Sequence, residues 1–343
     1  MVGDGGSVHT RRWATGLLSR GHAVYLLTER PWDDPPLDVE LLPRFVRGRF
    51  NLPVLARRVR EAAARFRPDL VHAHYASSYG LIAALSRVRP LVVSVWGGDV
   101  EVFPRNPLNR QVLVWTLRQA SRIAVTSGYL ERVTSRLVPA ATLDIIPWGV
   151  DDAWLENPRA GEPPGPFTVV NNKHLEPTYG LDILLEAMSA IDPPWVLWLL
   201  GSGGGEHELR RRAAELGVAE MVRWPGQVSP EAVREIMDRA HVGAFPSRRE
   251  SFSVATLEAS ARGLPVIGSA TGGIPEVIRD GATGILVEPN DVHSLRTAMK
   301  ALWRDPALRA RMGAAGRVMV RDHFRWTASL DRMEAVYRGV LGQ

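Results

Sequence analysis

The sequence holds no cysteine, and lysine fills only two of its 42 basic positions, Lys173 and Lys300. Without thiols there is no disulfide framework, no thiolate metal site and no cysteine nucleophile. No apolar run approaches the roughly 20 residues that a membrane-spanning helix needs. The opening MVGDGGSVHTRRW lacks the basic-then-apolar order of a signal peptide. The expected location is the cytoplasm, extended at most to a peripheral seat on the inner face of a membrane. No D-x-D pair and no His/Cys cluster occurs, so no metal site is expected.

What is present describes a globular chain. Hydrophobic residues make up 45% and charged residues 23% of 343 residues, enough for two cored domains. The net charge of +5 is unevenly placed: residues 1–150 carry 20 arginines against 12 acids, and the remainder is mildly acidic. That asymmetry points to one domain facing an anionic partner. Nucleic acid is not the expected partner, because no stacking platform accompanies the arginines.

Apolar strands alternate with helices along the whole chain. Strands are expected at 22–28, 69–74, 90–96, 123–126 and 142–146, and again at 167–171, 196–200, 222–224, 242–245, 265–268 and 285–287. Only Met1 and Val2 precede the Gly3–Gly6 turn, where a doubly wound domain normally opens with about five strand residues. Either the start is called late or the first strand is truncated. Strand–helix alternation implies right-handed crossovers and parallel sheets. The expected architecture is α/β: an N-terminal Rossmann-like domain over 1–148, a Pro/Gly-rich linker over 149–166 and a second Rossmann-like domain over 167–324. A C-terminal helix over 325–343 is expected to return toward the first domain. Ligands then belong at the carboxyl ends of the strands, in the cleft between the domains.

The most informative segment is Pro246-Ser-Arg-Arg-Glu-Ser-Phe-Ser-Val-Ala-Thr-Leu-Glu258. It places Glu250 in a loop and Glu258 eight residues on, inside a helix, with two turns between them. The helix start offers unsatisfied amides to a phosphate, and carboxylates there suit sugar hydroxyls. The turn after strand 196–200, Gly201-Ser-Gly-Gly-Gly-Glu206, lacks the last glycine of a dinucleotide-binding loop.

This segment resembles the E-x7-E signature of retaining glycosyltransferases of family 4, which have the GT-B fold. Six further segments are similar to that family's motifs in the same order. They are Gly5-Gly6 with His9-Thr10 and Arg20-Gly-His-Ala-Val24, Pro68-Asp-Leu-Val-His-Ala-His74, Trp96-Gly-Gly-Asp99, Lys173-x-Leu175 with Tyr179-Gly-Leu-Asp182, Gly272-Gly-Ile-Pro-Glu276, and Gly281-x-x-Gly284-x-Leu-Val287.

The resemblance implies a metal-independent transfer of a sugar from a UDP- or GDP-sugar to an acceptor hydroxyl. Such chemistry serves cell-surface polysaccharide, glycolipid or related glycoconjugate synthesis. No cofactor is implied, since the nucleotide sugar is a substrate. Glu258 would bind the ribose and Glu250 the donor sugar, while Lys173 would neutralise the phosphates. The amides of Ser251, Phe252 and Ser253 would touch sugar or diphosphate. Arg248, Tyr179, Gly5 and Gly6 join the donor set, and the base would meet Gly226, Gln227 and Val228. His74 would approach the reacting centre, and His9, Gly98 and Asp99 the acceptor.

Two departures stand out. Many relatives carry glycine at the position of Ser253 and a second cation at that of Tyr179. The rival readings are a catalytically silent sugar-nucleotide or glycan-binding protein and a GT-B epimerase. The stretch Arg44–Arg67 carries eight arginines and one acid, Glu61, with apolar residues at helical spacing. It reads either as a sheet-packing helix with a solvated face or as a contact for anionic lipid, or for an anionic or lipid-linked acceptor.

Overall fold

The computed structural model describes residues 1–43, 51–157 and 161–343. The chain divides into two compact units. The first is Met1–Pro147 with Ser329–Gln343, and the second is Trp148–Ala328.

The first unit runs α1 (Val8–Ser19), β1 (Tyr25–Thr28), β2 (Asp38–Leu41), α2 (Leu52–Phe66), β3 (Val71–His74), α3 (Tyr79–Ser86) and β4 (Leu91–Val95). It continues through α4 (Gly98–Glu101), α5 (Pro107–Arg118), β5 (Arg122–Val125), α6 (Gly128–Ser135) and β6 (Leu143–Ile145). All pairings are parallel: β1 with β2, and β3, β4, β5 and β6 in succession. Val2 closes the gap between β1 and β3 through parallel bridges to Leu27 and Ala73. Its amide donates to His72 O and its carbonyl accepts from His74 N, both at 2.9 Å. One residue thus does the work of the short first strand. The core between sheet and helices holds Leu55, Ile82, Leu91, Val93, Leu113 and Ile123.

The second unit runs β7 (Phe167–Asn171), α7 (Leu181–Met188), β8 (Trp195–Leu200), α8 (Glu206–Glu215), β9 (Val222–Gly226), α9 (Pro230–Asp238) and β10 (Val242–Phe245). Then come α10 (Val254–Ala261), β11 (Val266–Ser269), α11 (Ile274–Val277), β12 (Gly284–Val287), α12 (Val292–Arg304) and α13 (Pro306–His323). Helix α14 (Trp326–Leu341) ends the chain, and from Ser329 on it groups with the first unit. The sheet order is β12-β11-β10-β7-β8-β9, all parallel. Alternate residues feed two cores: Val169, Leu197, Ala244 and Ile267 point to one face, and Val170, Phe245 and Val266 to the other. This two-sided burial explains the near-continuous apolar strands. Strand order reverses between β7 and β10, which makes a crevice at their carboxyl ends.

The Pro/Gly-rich stretch expected as a linker is bound to the second unit. Buried Arg262 chelates Asp238 at 2.8 Å through two nitrogens and donates to the carbonyls of Trp154, Glu156 and Asn157. Arg309 reaches Glu162, and Arg317 reaches Leu155 O. Composition predicts the missing ladder, but not the guanidinium groups that replace it. Arg44, Arg47 and Arg49 of the basic stretch lie outside the described residues.

Candidate active site

In the second unit the site grows from the two strands that flank the switch point. β7 ends in Asn171, Asn172 and Lys173, and β10 leads into the loop carrying Glu250. Asn171 anchors the first of these: its Nδ2 donates to Ala244 O on β10, and its Oδ1 accepts from the Lys173 amide at 2.9 Å. The Lys173 ammonium then stands 2.5 Å from Glu250 Oε2 and 5.3 Å from the Tyr179 ring centroid. Both charged side chains are about seven-eighths buried, at 12% and 13% exposure. Asn172 Nδ2 donates to Glu258 Oε2 at 2.7 Å, and Asn172 Oδ1 has no partner.

The Glu250 loop rests on glycine. Gly273 donates to Glu250 O at 3.1 Å. A Cβ on Gly272, which has φ +56°, would fall 1.6 Å from that same oxygen. Only a residue without a side chain fits there. Ser253 caps α10 in the left-handed region, with φ +82°, and its hydroxyl meets Thr256 Oγ1 at 2.8 Å. The amides of Phe252 and Ser253 find no acceptor among the described residues. They stand at the positive end of the helix, open to an anion.

In the first unit His74 ends β3. It is fully buried, its Nδ1 lies 3.2 Å from Thr10 Oγ1, and its Nε2 has no hydrogen-bond partner among the described residues. Its ring centroid is 4.9 Å from that of Trp96, which also meets His9 at 5.8 Å. His72 is held on both sides, by Tyr337 Oη at 2.6 Å and Ser94 Oγ at 2.8 Å. Burial lowers its pKa to about 3 and lowers that of His74 well below the ordinary value. A cavity of about 300 Å³ opens at the amino ends of β1 and β3, and His72 and Tyr337 are part of its lining.

Comparison with known proteins gives the arrangement its context. Residues 152–319 match the family described as glycosyl transferases group 1, and residues 1–127 match glycosyl transferase 4-like. A relative from Mycolicibacterium smegmatis is 30% identical, covering 84% of this chain and 81% of its own. It is named a GDP-mannose-dependent α-(1-6)-phosphatidylinositol monomannoside mannosyltransferase. A relative from Segniliparus rotundus, named D-inositol 3-phosphate glycosyltransferase, is 30% identical over 99% of this chain and 86% of its own. This chain belongs to glycosyltransferase family 4. Its fold is GT-B: sucrose-phosphate synthase from Thermosynechococcus elongatus superposes with a TM-score of 0.86 over 99% of both chains at 22% identity.

The glycosyltransferase is a hexosyl-transferring enzyme that moves a sugar from a nucleotide sugar to an acceptor. Its structure brings together Lys173, Tyr179, Glu250 and, through Asn172, Glu258. Other expected site residues are placed differently. The Arg248 guanidinium is taken up by Asp182 at 2.6 and 2.8 Å, Asn290 Oδ1 at 2.6 Å and Pro177 O at 2.5 Å, so it clamps the loops behind the site. The Phe252 side chain is core, 6.0 Å from the Phe324 ring centroid, while its amide, the group expected at the donor, stays at the start of α10. The Gly5 amide is occupied by Thr28 Oγ1 and the Gly6 amide by Asp4 Oδ1. Their amides therefore serve the turn rather than a donor.

Asp99 is fully buried. It accepts from the amides of Ala76, Trp96 and Gly97, which fixes the Trp96 loop, and burial raises its pKa to about 6. With those three amides on it, the carboxylate orders the loop instead of meeting an acceptor. Gly98 lies under the Tyr75 hydroxyl. Gly226, Gln227 and Val228 lie at the carboxyl end of edge strand β9. Asn171 and Asn172 were not among the expected site residues. Their one sequence signal is position, directly after a buried strand and before Lys173.

Proposed function

We propose that this family-4 enzyme is a retaining, metal-independent glycosyltransferase that uses a nucleoside diphosphate hexose and an anionic hydroxyl acceptor. The observation that carries the reading is the Lys173–Glu250 pair at the switch point, beside the free amides that open α10. A donor placed there sets its diphosphate against Lys173 and the amides of Phe252 and Ser253, its ribose against Glu258 and its hexose against Glu250. The cation and the helix end offset charge as it develops on the leaving diphosphate.

In the step itself the bond from the anomeric carbon to the phosphate oxygen breaks. A bond to the acceptor oxygen forms on the same face, and the acceptor proton passes to the departing phosphate. His74, with its unpartnered Nε2, takes a hydrogen-bonding role toward substrate in the first unit. Metal independence is in keeping with a site whose charge-stabilising groups are the chain's own, Lys173 and the amides at the start of α10.

The relatives from M. smegmatis and S. rotundus are named for phosphatidylinositol mannoside and inositol phosphate acceptors. Both acceptors are anionic, which suits the arginine-rich first unit. For the donor, the M. smegmatis name favours GDP-mannose. The test is turnover of GDP-mannose and UDP-glucose with inositol phosphate in chelator, with the product anomer read by NMR. Retention with undiminished rate in chelator supports the proposal, and an inverted anomer or metal-dependent turnover overturns it.

A further inference from the structure

The arginine-rich helix α2 was the sequence's candidate for a lipid surface, but its guanidinium groups are engaged. Arg57 and Arg58 share Glu61, Arg60 donates to Ser86 O and Arg65 meets Glu40. A different surface has the opposite character. From Val102 to Ser121 the chain contains no acid. The turn at Phe103–Arg105 packs on α5. Asn106 caps the helix by accepting from the amides of Leu108 and Asn109.

α5 buries Leu113, Thr116 and Leu117 against its own unit. On its outer side it presents Leu108 at 65% exposure and Trp115 at 41%, with Val102 at 39% just before the turn. Leu108 and Trp115 are seven residues apart, so they share a face about 10 Å long. Arg105 and Arg118 are exposed beside them, Arg118 three residues past Trp115, and neither makes an ion pair or side-chain hydrogen bond among the described residues.

We infer that the outer face of α5 is the seat of this glycosyltransferase on an anionic bilayer. Leu108 and Trp115 enter the headgroup boundary, and Arg105 and Arg118 meet lipid phosphates. A short helix with Leu and Trp on one side, rimmed by arginine and free of acids, has the makeup of an in-plane interfacial element. The inference rests on the proposed anionic acceptor only in that a lipid-linked acceptor would lie in the same surface.

The experiment is cosedimentation of the full chain with vesicles of phosphatidylcholine alone or of equal parts phosphatidylcholine and phosphatidylglycerol. Calorimetry with GDP runs in parallel. Wild type partitions to the anionic vesicles and not to the neutral ones. Leu108→Ser with Trp115→Ser, and separately Arg105→Gln with Arg118→Gln, lower the partition coefficient about tenfold or more. Arg57→Gln with Arg58→Gln on α2 leaves it unchanged, and GDP affinity is unchanged in every variant. Equal binding to both vesicle types, wild-type binding by the serine variant, or an equal loss in the α2 variant overturns the inference. A chain that binds vesicles in this pattern but fails to bind nucleotide would instead overturn the proposed transfer reaction.

Discussion

Lys173 and Glu250, 77 positions apart in sequence, form a buried ion pair of 2.5 Å across the two strands where the second sheet reverses its order. Each is the other's main charge partner until a diphosphate displaces or joins the pair. Lys173→Ala removes the cation and leaves a buried carboxylate unpaired. Its kcat is expected to fall by about 10²–10³, the loss typical of one charge-stabilising donor. Arg248→Ala is expected to keep more than a tenth of kcat and to lower Tm instead, because Arg248 is bound to Asp182, Asn290 and Pro177 O. Steady-state kinetics beside thermal melts separates the two. The reverse pattern would move the phosphate cation to Arg248.

The Asn172–Glu258 hydrogen bond makes a second division testable. Glu258→Ala is expected to weaken the bare nucleoside diphosphate by about tenfold to a hundredfold, the range for a hydrogen bond to a charged group. Glu250→Ala is expected to lower turnover with little change in that affinity. Asn172→Ala, which frees Glu258 to rotate, is expected to fall between wild type and Glu258→Ala in affinity. Calorimetry with GDP or UDP reads all three. Equal losses in the two glutamate variants would remove the assigned roles.

Ser253 holds φ +82° without being glycine, a conformation that costs an L-residue about 1–2 kcal/mol. Ser253→Gly relieves that strain but loses the contact with Thr256, and is expected to stay within about 1 kcal/mol of wild type. Ser253→Ala keeps the strain and loses the contact, so it is expected to be the less stable of the two. Chemical denaturation checks the order. Greater stability of the alanine variant would show that the backbone relaxes out of the left-handed region.

The buried histidines set a pH dependence for the first unit. His72 titrates near 3 when folded and near its ordinary 6.5 when unfolded, and His74 shifts in the same direction. Below pH 6.5 the unfolded chain binds protons that the folded chain refuses. Stability is full above that value and is lost as pH falls below it, for His72 by about 1.4 kcal/mol per pH unit down to about pH 3, with His74 acting in the same direction. Asp99, raised to about 6, opposes this between pH 6 and its ordinary 3.8. The net expectation is a Tm that drops from pH 7 to pH 5. The drop should be shallower in His72→Gln, whose amide can still meet Tyr337 and Ser94. A flat wild-type profile would contradict the burial of both rings.

Much of the site was readable because its signals are local. Glu250 and Glu258 lie on one strand–loop–helix segment, and the helix start between them follows from the same stretch. Lys173 was readable from its loop. What sequence could not show is which groups are already taken. Arg248, Asp99, Gly5 and Gly6 are each occupied by a neighbour, from a distant segment for Arg248 and Gly5, from within the same turn for Gly6, and from both for Asp99. Helix α5 was missed for a related reason. Its buried residues Leu113, Thr116 and Leu117 make an ordinary inward stripe, but Leu108 and Trp115 on the outer side blur the periodicity. β2 was missed because a short, half-exposed edge strand after two prolines carries little pattern.

The reversal of strand order at β7 and β10 also shapes how the second unit holds together. β7 leads through α7 to β8 and β9 on one side, and β10 leads through α10 to β11 and β12 on the other. Along the sheet the two wings meet at one line of strand pairing, Val242 with Val169 and Gly243 with Val170, backed by α7 packing on α12 and by Arg248 on Asp182. A donor gripped by Lys173 from one wing and by Glu250 with the α10 amides from the other is a staple across that seam. Saturating nucleotide at about 100 times its dissociation constant adds about 2.7 kcal/mol to the folded state. That gain is directed at the opening of the seam, so hydrogen exchange should slow first at the amides of β7 and β10 that face each other.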